Sequence, residues 1–330
     1  MYNLYQSQLR KDIQYEVYGK PTFTIELFGK EYFWTIKIKK IWPFTTKRYQ
    51  IMGVELPTDK NYVQSELNKL RKHFKGKGIF FQLGFVNEMI SFENASHKSE
   101  DFKEDMLQMR HHLQEFLCKN YSLKVAFREN MPNSNIIIDL SKPDNQLIME
   151  MNASARQRVR KGINKKLEFG MAGPDQYQAF YDKRLKISGK KGFNIIPYEQ
   201  YERLIRYITQ NNRGNLFVSS IAWEIVSGNI CLYDHRYIVY LYGFSDRKYG
   251  NVGSHHFLKY KMFSRARDAG FTYCDLMGGA PTGFINHPLT SVSEFKESLG
   301  GVKIEQYGSF DIVLNKLMYR VFKMYYKLRG

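Results

Sequence analysis

Residues 237–279 read YIVYLYGFSDRKYGNVGSHHFLKYKMFSRARDAGFTYCDLMGG, and this stretch decides the fold. Residues 237–245 form a β-branched and aromatic run, which predicts a strand. A polar turn containing Gly250 and Gly253 follows. Apolar residues then recur at helical spacing over 253–269, and residues 271–276 predict a second strand that ends at Gly278-Gly279. Downstream, SEFKESLGG (293–301) predicts a polar loop carrying an exposed Phe295-Lys296 pair, and a terminal helix is expected over 312–328. No Ser-His-Asp order and no metal-ligand spacing accompanies these elements. The pattern implies a backbone-lined cleft with one lysine at its rim, which suits group transfer from an already activated acyl donor.

Working outward, residues 22–56 hold short apolar runs punctuated by Gly29, Pro43 and Gly53, the signature of antiparallel strands. Helices are expected over 59–74 and 100–120, and strands over 78–85, 122–128 and 135–140. From Ser141 a similar order begins again. Helices are expected over 144–166, from Pro174 through Lys190 and over 197–211, with strands at 167–171 and 216–225 and in the run that reaches Ser245. The two halves share a mixed order of strands and helices without sequence repetition. This predicts a duplicated α+β unit with a hinge near Leu140–Asp144.

The chain has 330 residues, of which 43% are hydrophobic and 15% aromatic, enough for real cores and against disorder. Cys118, Cys231 and Cys274 are far apart and odd in number, which suits a reducing cytoplasm. No apolar signal core opens the sequence, and no run of about 18 apolar residues occurs. Fifty Lys+Arg face 32 Asp+Glu, for a net charge of +18. Such an excess favours a polyanionic partner.

The excess is clustered. Residues 152–166, NASARQRVRKGINKK, hold Arg156, Arg158, Arg160, Lys161, Lys165 and Lys166 and no acid. On a helix they make a broad cationic face able to track a phosphate backbone, or simply a solvated face. The terminal helix places Lys316, Arg320, Lys323 and Lys327 on one stripe. That stripe reads either as contact with an anionic membrane or as the wet side of a core helix. Arg247-Lys248-Tyr249-Gly250-Asn251-Val252 sits where acyl-CoA enzymes keep a glycine-rich pyrophosphate loop, with Val252 in place of the small residue. His255 and His256 are adjacent and lack ligand partners, so they read as structural. Asp275 reads as orienting the loop after its strand or as a base, the orienting role being preferred, and Lys296 as a point charge for a developing oxyanion.

Taken together, these residues resemble the Fem family of aminoacyl-tRNA-dependent peptidyltransferases of bacterial cell-wall synthesis. The resemblance spans roughly Ile136–Leu328. It is carried by IIIDLSKPDNQLIMEM, ARQRVRKGINKKLEF, YLYG with Asn251 and Gly253, FTYCDLMGG, FKESLGG and YGSFDIVLNKLMYRVF. It implies two GNAT-like domains, 1–140 plus 309–330 on the acceptor side and 141–308 on the donor side, with mixed sheets flanked by helices and no coiled-coil arm. It further implies a cytoplasmic aminoacyltransferase without cofactor or metal. Its partners would be aminoacyl-tRNA and an amine-bearing cell-wall precursor or related acceptor, with peripheral contact to the inner membrane face and no DNA.

By the same resemblance, Lys296 and Tyr242 fall on the catalytic positions, and Phe295, Tyr240, Asp275, Gly278, Gly279 and Asn251 on substrate-binding ones. Arg156, Arg158, Arg160, Lys161 and Lys165 fall on the tRNA-binding helix. The sequence departs from the family at Arg10, Ile13 and Gln14, where Trp, Phe and Lys are usual, at Gln82-Leu83-Gly84-Phe85, and at Ile196-Pro197. All of these lie in acceptor-binding positions, so the acceptor is expected to differ from the usual precursor. A GNAT-type acyl-CoA transferase and a non-catalytic RNA- or membrane-binding relative are the alternatives.

Overall fold

A computed structural model describes residues 3–41, 44–88, 100–128, 130–191, 195–284 and 287–328. Its α-helices and strands run α1 (Gln8–Asp12), β1 (Thr22–Leu27), β2 (Lys30–Ile41), β3 (Phe44–Val54), α2 (Lys60–Phe74), β4 (Phe80–Glu88), α3 (Glu100–Tyr121), β5 (Lys124–Val125), β6 (Ser134–Asp139), α4 (Asp144–Glu150), α5 (Ala153–Asn164), β7 (Glu168–Met171), α6 (Tyr177–Lys191), α7 (Tyr198–Gln210), β8 (Gly214–Ile221), β9 (Glu224–Asp234), β10 (Tyr237–Ser245), α8 (Ser254–Asp268), β11 (Tyr273–Gly278), α9 (Thr290–Glu297), β12 (Val302–Val313) and α10 (Lys316–Lys327). The chain divides into two compact units. Unit 1 is Met1–Ser134, Ala280–Asn286 and Ile304–Gly330, and unit 2 is Asn135–Gly279 and His287–Lys303.

The sheet of unit 1 has the order β1-β2-β3-β4-β12, with β5 on β12. Its pairs are antiparallel except β3–β4. One face is apolar. Tyr49, Phe81 and Ile312 project there onto α2, whose Val63, Leu67, Leu70 and Phe74 repeat at helical spacing and are buried. Asp59 starts α2 by accepting from the Asn61 and Tyr62 amides, a cap worth about 1 kcal/mol. The opposite face is polar over much of its width. Across β3, β4 and β12, Gln50 donates to Gln82 and Gln82 to Asp311, each at 3.0 Å. At the end of this face, α10 packs Tyr319 and Phe322 against Ile41, Ile79 and Phe80. The buried side of α10 is thus used within unit 1, and its basic residues stay exposed.

The sheet of unit 2 has the order β6-β11-β10-β9-β8-β7, antiparallel except for β10–β11. On one face α5 and α8 pack together with very little space between them. A Cβ on Gly162 would sit 2.6 Å from the Phe257 Cβ, and one on Gly253, at φ +74°, would run into the Arg158 carbonyl. Glycine is needed at Gly253 both for that approach and for its left-handed backbone.

Several boundaries differ from the sequence reading. The expected helix over 144–166 is two helices, broken where Asn152 accepts from the Ala155 amide and begins α5. The expected loop at 293–301 is largely helix α9. The expected terminal helix begins four residues late, because 302–313 is a long strand whose alternation is masked by polar residues in the buried polar row.

Candidate active site

The parallel ladder between β10 and β11 is short. It pairs Tyr237 with Tyr273, Ile238 with Cys274 and Val239 with Asp275, and then stops. Yet β10 runs on to Ser245 and β11 to Gly278. Beyond Val239 and Asp275 the two strands part, leaving main-chain groups along both inner edges. Both strands are also irregular here. Opposite β9, the register of β10 shifts between Tyr240 and Tyr242, and opposite β6, that of β11 shifts between Asp275 and Gly278. Bulges re-aim side chains and end pairing beside functional sites.

Lys296 reaches this opening from α9. Its Nζ donates to the Met277 carbonyl at 3.1 Å and the Gly278 carbonyl at 2.6 Å. The side chain is 5% exposed. This corrects the expectation of an exposed lysine on a polar loop: α9 directs it inward, and two carbonyls from β11 receive it. Burial lowers its pKa to about 8, with Asp275 and Cys274 acting in the opposite direction. Asp275 meets the same segment from below. Its Oδ1 accepts from the Met277 amide at 2.6 Å, and Asn135 donates to its Oδ2 at 3.3 Å. Burial raises its pKa to about 6. Met277 itself lies at φ +59°, a left-handed position uncommon for a side-chain-bearing residue. The Met277–Gly278 backbone is therefore held by an acid on one side and a lysine on the other.

Tyr240 lies below Lys296, whose Nζ is 5.8 Å from its ring centroid. Tyr242 follows two residues on. Past the bulge, its ring packs on Tyr201 of α7 at 5.4 Å, with the Arg184 guanidinium 5.1 Å from its centroid. Arg184 also donates to the Gly243 carbonyl at 2.6 Å. Phe295 is held by His255, stacked at 4.4 Å, and His256, edge-on at 5.0 Å. Burial and the Arg158 charge lower His256 to about 4, so it is neutral at pH 7. A Cβ on Gly279 would sit 2.6 Å from the Ser293 Oγ and 2.9 Å from the Ile136 Cδ1. Asn251 is exposed in a 3-10 turn over Arg247–Val252, a separate element from the α9 and β11 segments that position Lys296.

That turn is closed. The Lys248 and Tyr249 amides are bonded to Asp246 and the Gly253 amide to Gly250. Val252, which stands in place of the small residue, packs against the Leu167, Val226 and Phe257 cluster. In the basic helix, Arg158, Arg160, Lys161 and Lys165 are exposed. Arg156 is instead half-buried and donates to the Met149 and Met151 carbonyls at 3.1 and 2.5 Å, closing the end of α4.

One residue was missed in the sequence. Lys259, on α8, is 1% exposed, and its Nζ has no hydrogen-bond partner among the described residues. Burial lowers its pKa to about 7. The signal was present: Lys259 shares a helical face with His256, Phe263 and Ala266, all buried. A cavity of about 560 Å³ elsewhere in unit 2 is lined by Lys183, Ile187, Glu224, Asp246, Arg247 and Lys248 among others. Lys183 there pairs with Glu224 at 2.7 Å and Asp246 at 3.3 Å, and Lys186, Arg247 and Lys248 leave the lining with an excess of positive charge. Among the described residues no group of His, Cys, Asp and Glu is gathered as metal ligands would be, and no helix is long and apolar enough to cross a membrane.

Residues 153–287 match the family described as Acetyltransferase (GNAT) domain. No curated protein matches the chain. Among solved structures, FemX is similar over 96% of this chain and 94% of its own, with TM-score 0.67 and 16% identity. A conserved protein of unknown function from Bacteroides thetaiotaomicron VPI-5482 is similar over 94% and 93%, with TM-score 0.53 and 13% identity. L-PGS from Bacillus licheniformis is similar over 95% and 90%, with TM-score 0.50 and 12% identity. The fold is that of FemX, an α+β arrangement of GNAT type.

Proposed function

We propose that the protein is an aminoacyltransferase that moves an amino acid from aminoacyl-tRNA to an amine acceptor. The observation that carries this reading is the Lys296 ammonium held at the parting of β10 and β11 by the Met277 and Gly278 carbonyls. An ammonium has three N–H groups, and two are engaged among the described residues. The third suits an oxyanion that develops on an ester carbonyl seated in the opening. With a pKa near 8 the group is mostly charged at neutral pH.

The ester of a charged tRNA is already activated, so no protein nucleophile is needed. The acceptor amine attacks the carbonyl carbon and the carbonyl oxygen gains negative charge beside Lys296. The intermediate then collapses with loss of the tRNA hydroxyl, which takes up the proton shed by the amine. Positioning and the fixed charge supply most of the acceleration. The exposed Arg158, Arg160, Lys161 and Lys165 would hold tRNA phosphates. A peptidoglycan precursor, as the Fem resemblance implies, is the first acceptor to try.

The family match to a GNAT domain keeps an acyl-CoA donor as the second reading. Against it, the Lys248 and Tyr249 amides at the start of the 247–252 turn are bonded to Asp246 and the Gly253 amide after it to Gly250. The test is single-turnover transfer from charged tRNA to a panel of peptide amines, beside calorimetry with CoA. Transfer to any amine supports the first reading. Tight CoA binding with no transfer from tRNA replaces it with the second.

A further inference from the structure

α10 has three faces rather than two. Tyr319, Phe322 and Tyr326 turn toward the unit 1 sheet and its cluster around Phe80. Beside them, Lys316, Arg320, Lys323 and Lys327 form an exposed basic stripe. Leu317, Met324 and Leu328 recur at i, i+7 and i+11 and so fall on one further line along the helix. They are 70%, 63% and 84% exposed, and half-buried Val321 completes the line. Single exposed aliphatics are ordinary on a protein surface. A row of them alongside a basic stripe marks a contact surface.

The end of the β2–β3 ladder extends this surface. Ile41 and Phe44 are paired there, and Ile41 is buried with Tyr319 and Phe322, whereas Phe44 is 49% exposed. The Lys39 Nζ is 5.9 Å from the Tyr325 ring centroid, and the Lys323 Nζ is 5.9 Å from that of Tyr319. Residues 33–54 and 312–330 contain no acid. Asp311, the acid next to the second segment, is wholly buried and accepts from the Tyr319 hydroxyl at 2.8 Å. Exposed aliphatics and cations thus lie side by side, and neither segment supplies an exposed carboxylate.

We infer that α10, with the Phe44 end of the β2–β3 ladder, docks on an anionic lipid surface. A helix with this division rests with its axis in the plane of the headgroups, its aliphatics at the acyl boundary and its cations in the negative surface potential. An anionic bilayer engages both stripes at once. A nucleic acid would engage the basic stripe and leave Leu317, Met324 and Leu328 in water. A second copy of the chain would set like charge against like charge. The surface lies wholly within unit 1, so the inference stands apart from the transfer chemistry of unit 2.

The test uses the full chain, sedimented with phosphatidylcholine vesicles that contain or lack phosphatidylglycerol. Wild type is compared with a Leu317→Ser, Met324→Ser variant and with a Lys316→Gln, Lys327→Gln variant. All four side chains are exposed, so the melting temperatures should stay close to that of the wild type. The wild type should sediment with the phosphatidylglycerol vesicles and not with the others, and added salt should weaken binding. The serine variant should bind about tenfold or more weakly. The glutamine variant should lose about fivefold for each charge removed. Absence of binding to phosphatidylglycerol vesicles at low salt overturns the surface. So does binding that the serine variant keeps in full, which is mere adsorption of a basic protein. A dimer that the serine variant disperses shows instead that a second copy covers the stripe. A parallel loss of tRNA binding in the glutamine variant assigns the basic stripe to RNA, and either result also overturns the inference.

Discussion

The Lys259 ammonium lies 3.2 Å from the centroid of the Tyr240 ring, inside the core of unit 2. The contact joins α8 to β10 at the strand residue where the register shifts. It orients the ring that underlies Lys296, and it does so with a buried cation. A ring face offsets only part of the cost of removing an ammonium from water.

Lys259→Met should therefore stabilise the protein at pH 7, by about 1–4 kcal/mol. The sign follows from the lowered pKa. Between pH 7 and about 10 the unfolded lysine holds a proton that the folded one has released, so the penalty is full below about 7 and fades as pH rises. Urea melts at pH 7 and pH 9.5 should show the variant's advantage shrinking. An advantage that is absent at pH 7 would show that Lys259 is satisfied in solution. Transfer activity should fall in the variant, as the Tyr240 ring loses its partner.

Lys296→Met should lower single-turnover transfer by about 10²–10³-fold. Stability should change little, because two effects oppose. The variant relieves burial of a charge, and it also leaves the Met277 and Gly278 carbonyls without a donor. Melting curves beside the rate assay check both. Wild-type rates in the variant would remove Lys296 from the chemistry.

The pH profile of transfer should be bell-shaped, with limbs near 6 and 8. Above about 8 Lys296 loses its proton and its charge, and below about 6 Asp275 gains one and loosens its hold on the Met277 amide. His256, near 4, and Tyr240, near 12, titrate outside this window, whereas Lys259, near 7, titrates inside it, so the profile is also measured in Lys259→Met to remove its contribution. The alkaline limb should vanish in the residual activity of Lys296→Met.

The basic helix should divide under mutation. Reversal of Arg158, Arg160 and Lys161 to Glu should weaken tRNA binding. It should also flatten the salt dependence by about 0.7–0.9 for each phosphate no longer neutralised, with the melting temperature unchanged. Arg156→Glu should lower the melting temperature instead, since Arg156 closes α4 through the Met149 and Met151 carbonyls. Filter binding across a salt series and thermal melts separate the two.

The parts legible in the sequence were those governed by local period. α2, α7 and α8 were found within a residue or so, because their buried positions repeat at helical spacing. α9 was read as a loop because SVSEFKES is mostly polar, with Phe295 its one large apolar residue. The burial of Lys296 depends on carbonyls from β11, and no rule of spacing joins α9 to that strand. The register shift between Tyr240 and Tyr242 lies inside a run, YIVYLYGFS, that reads as an unbroken strand.

Unit 1 also sets an order of assembly. Its strand β4 takes β12 as its neighbour, and β12 is encoded after nearly all of unit 2. During synthesis the ribosome delivers α2, α3 and β1–β4 long before the strand that completes their sheet. Unit 2 needs nothing beyond Lys303 and can close first. Until β12 and α10 emerge, the nascent first half must persist with the β12 side of β4 unpaired and the Phe80 surface uncovered, the condition in which chaperones bind and strands mispair.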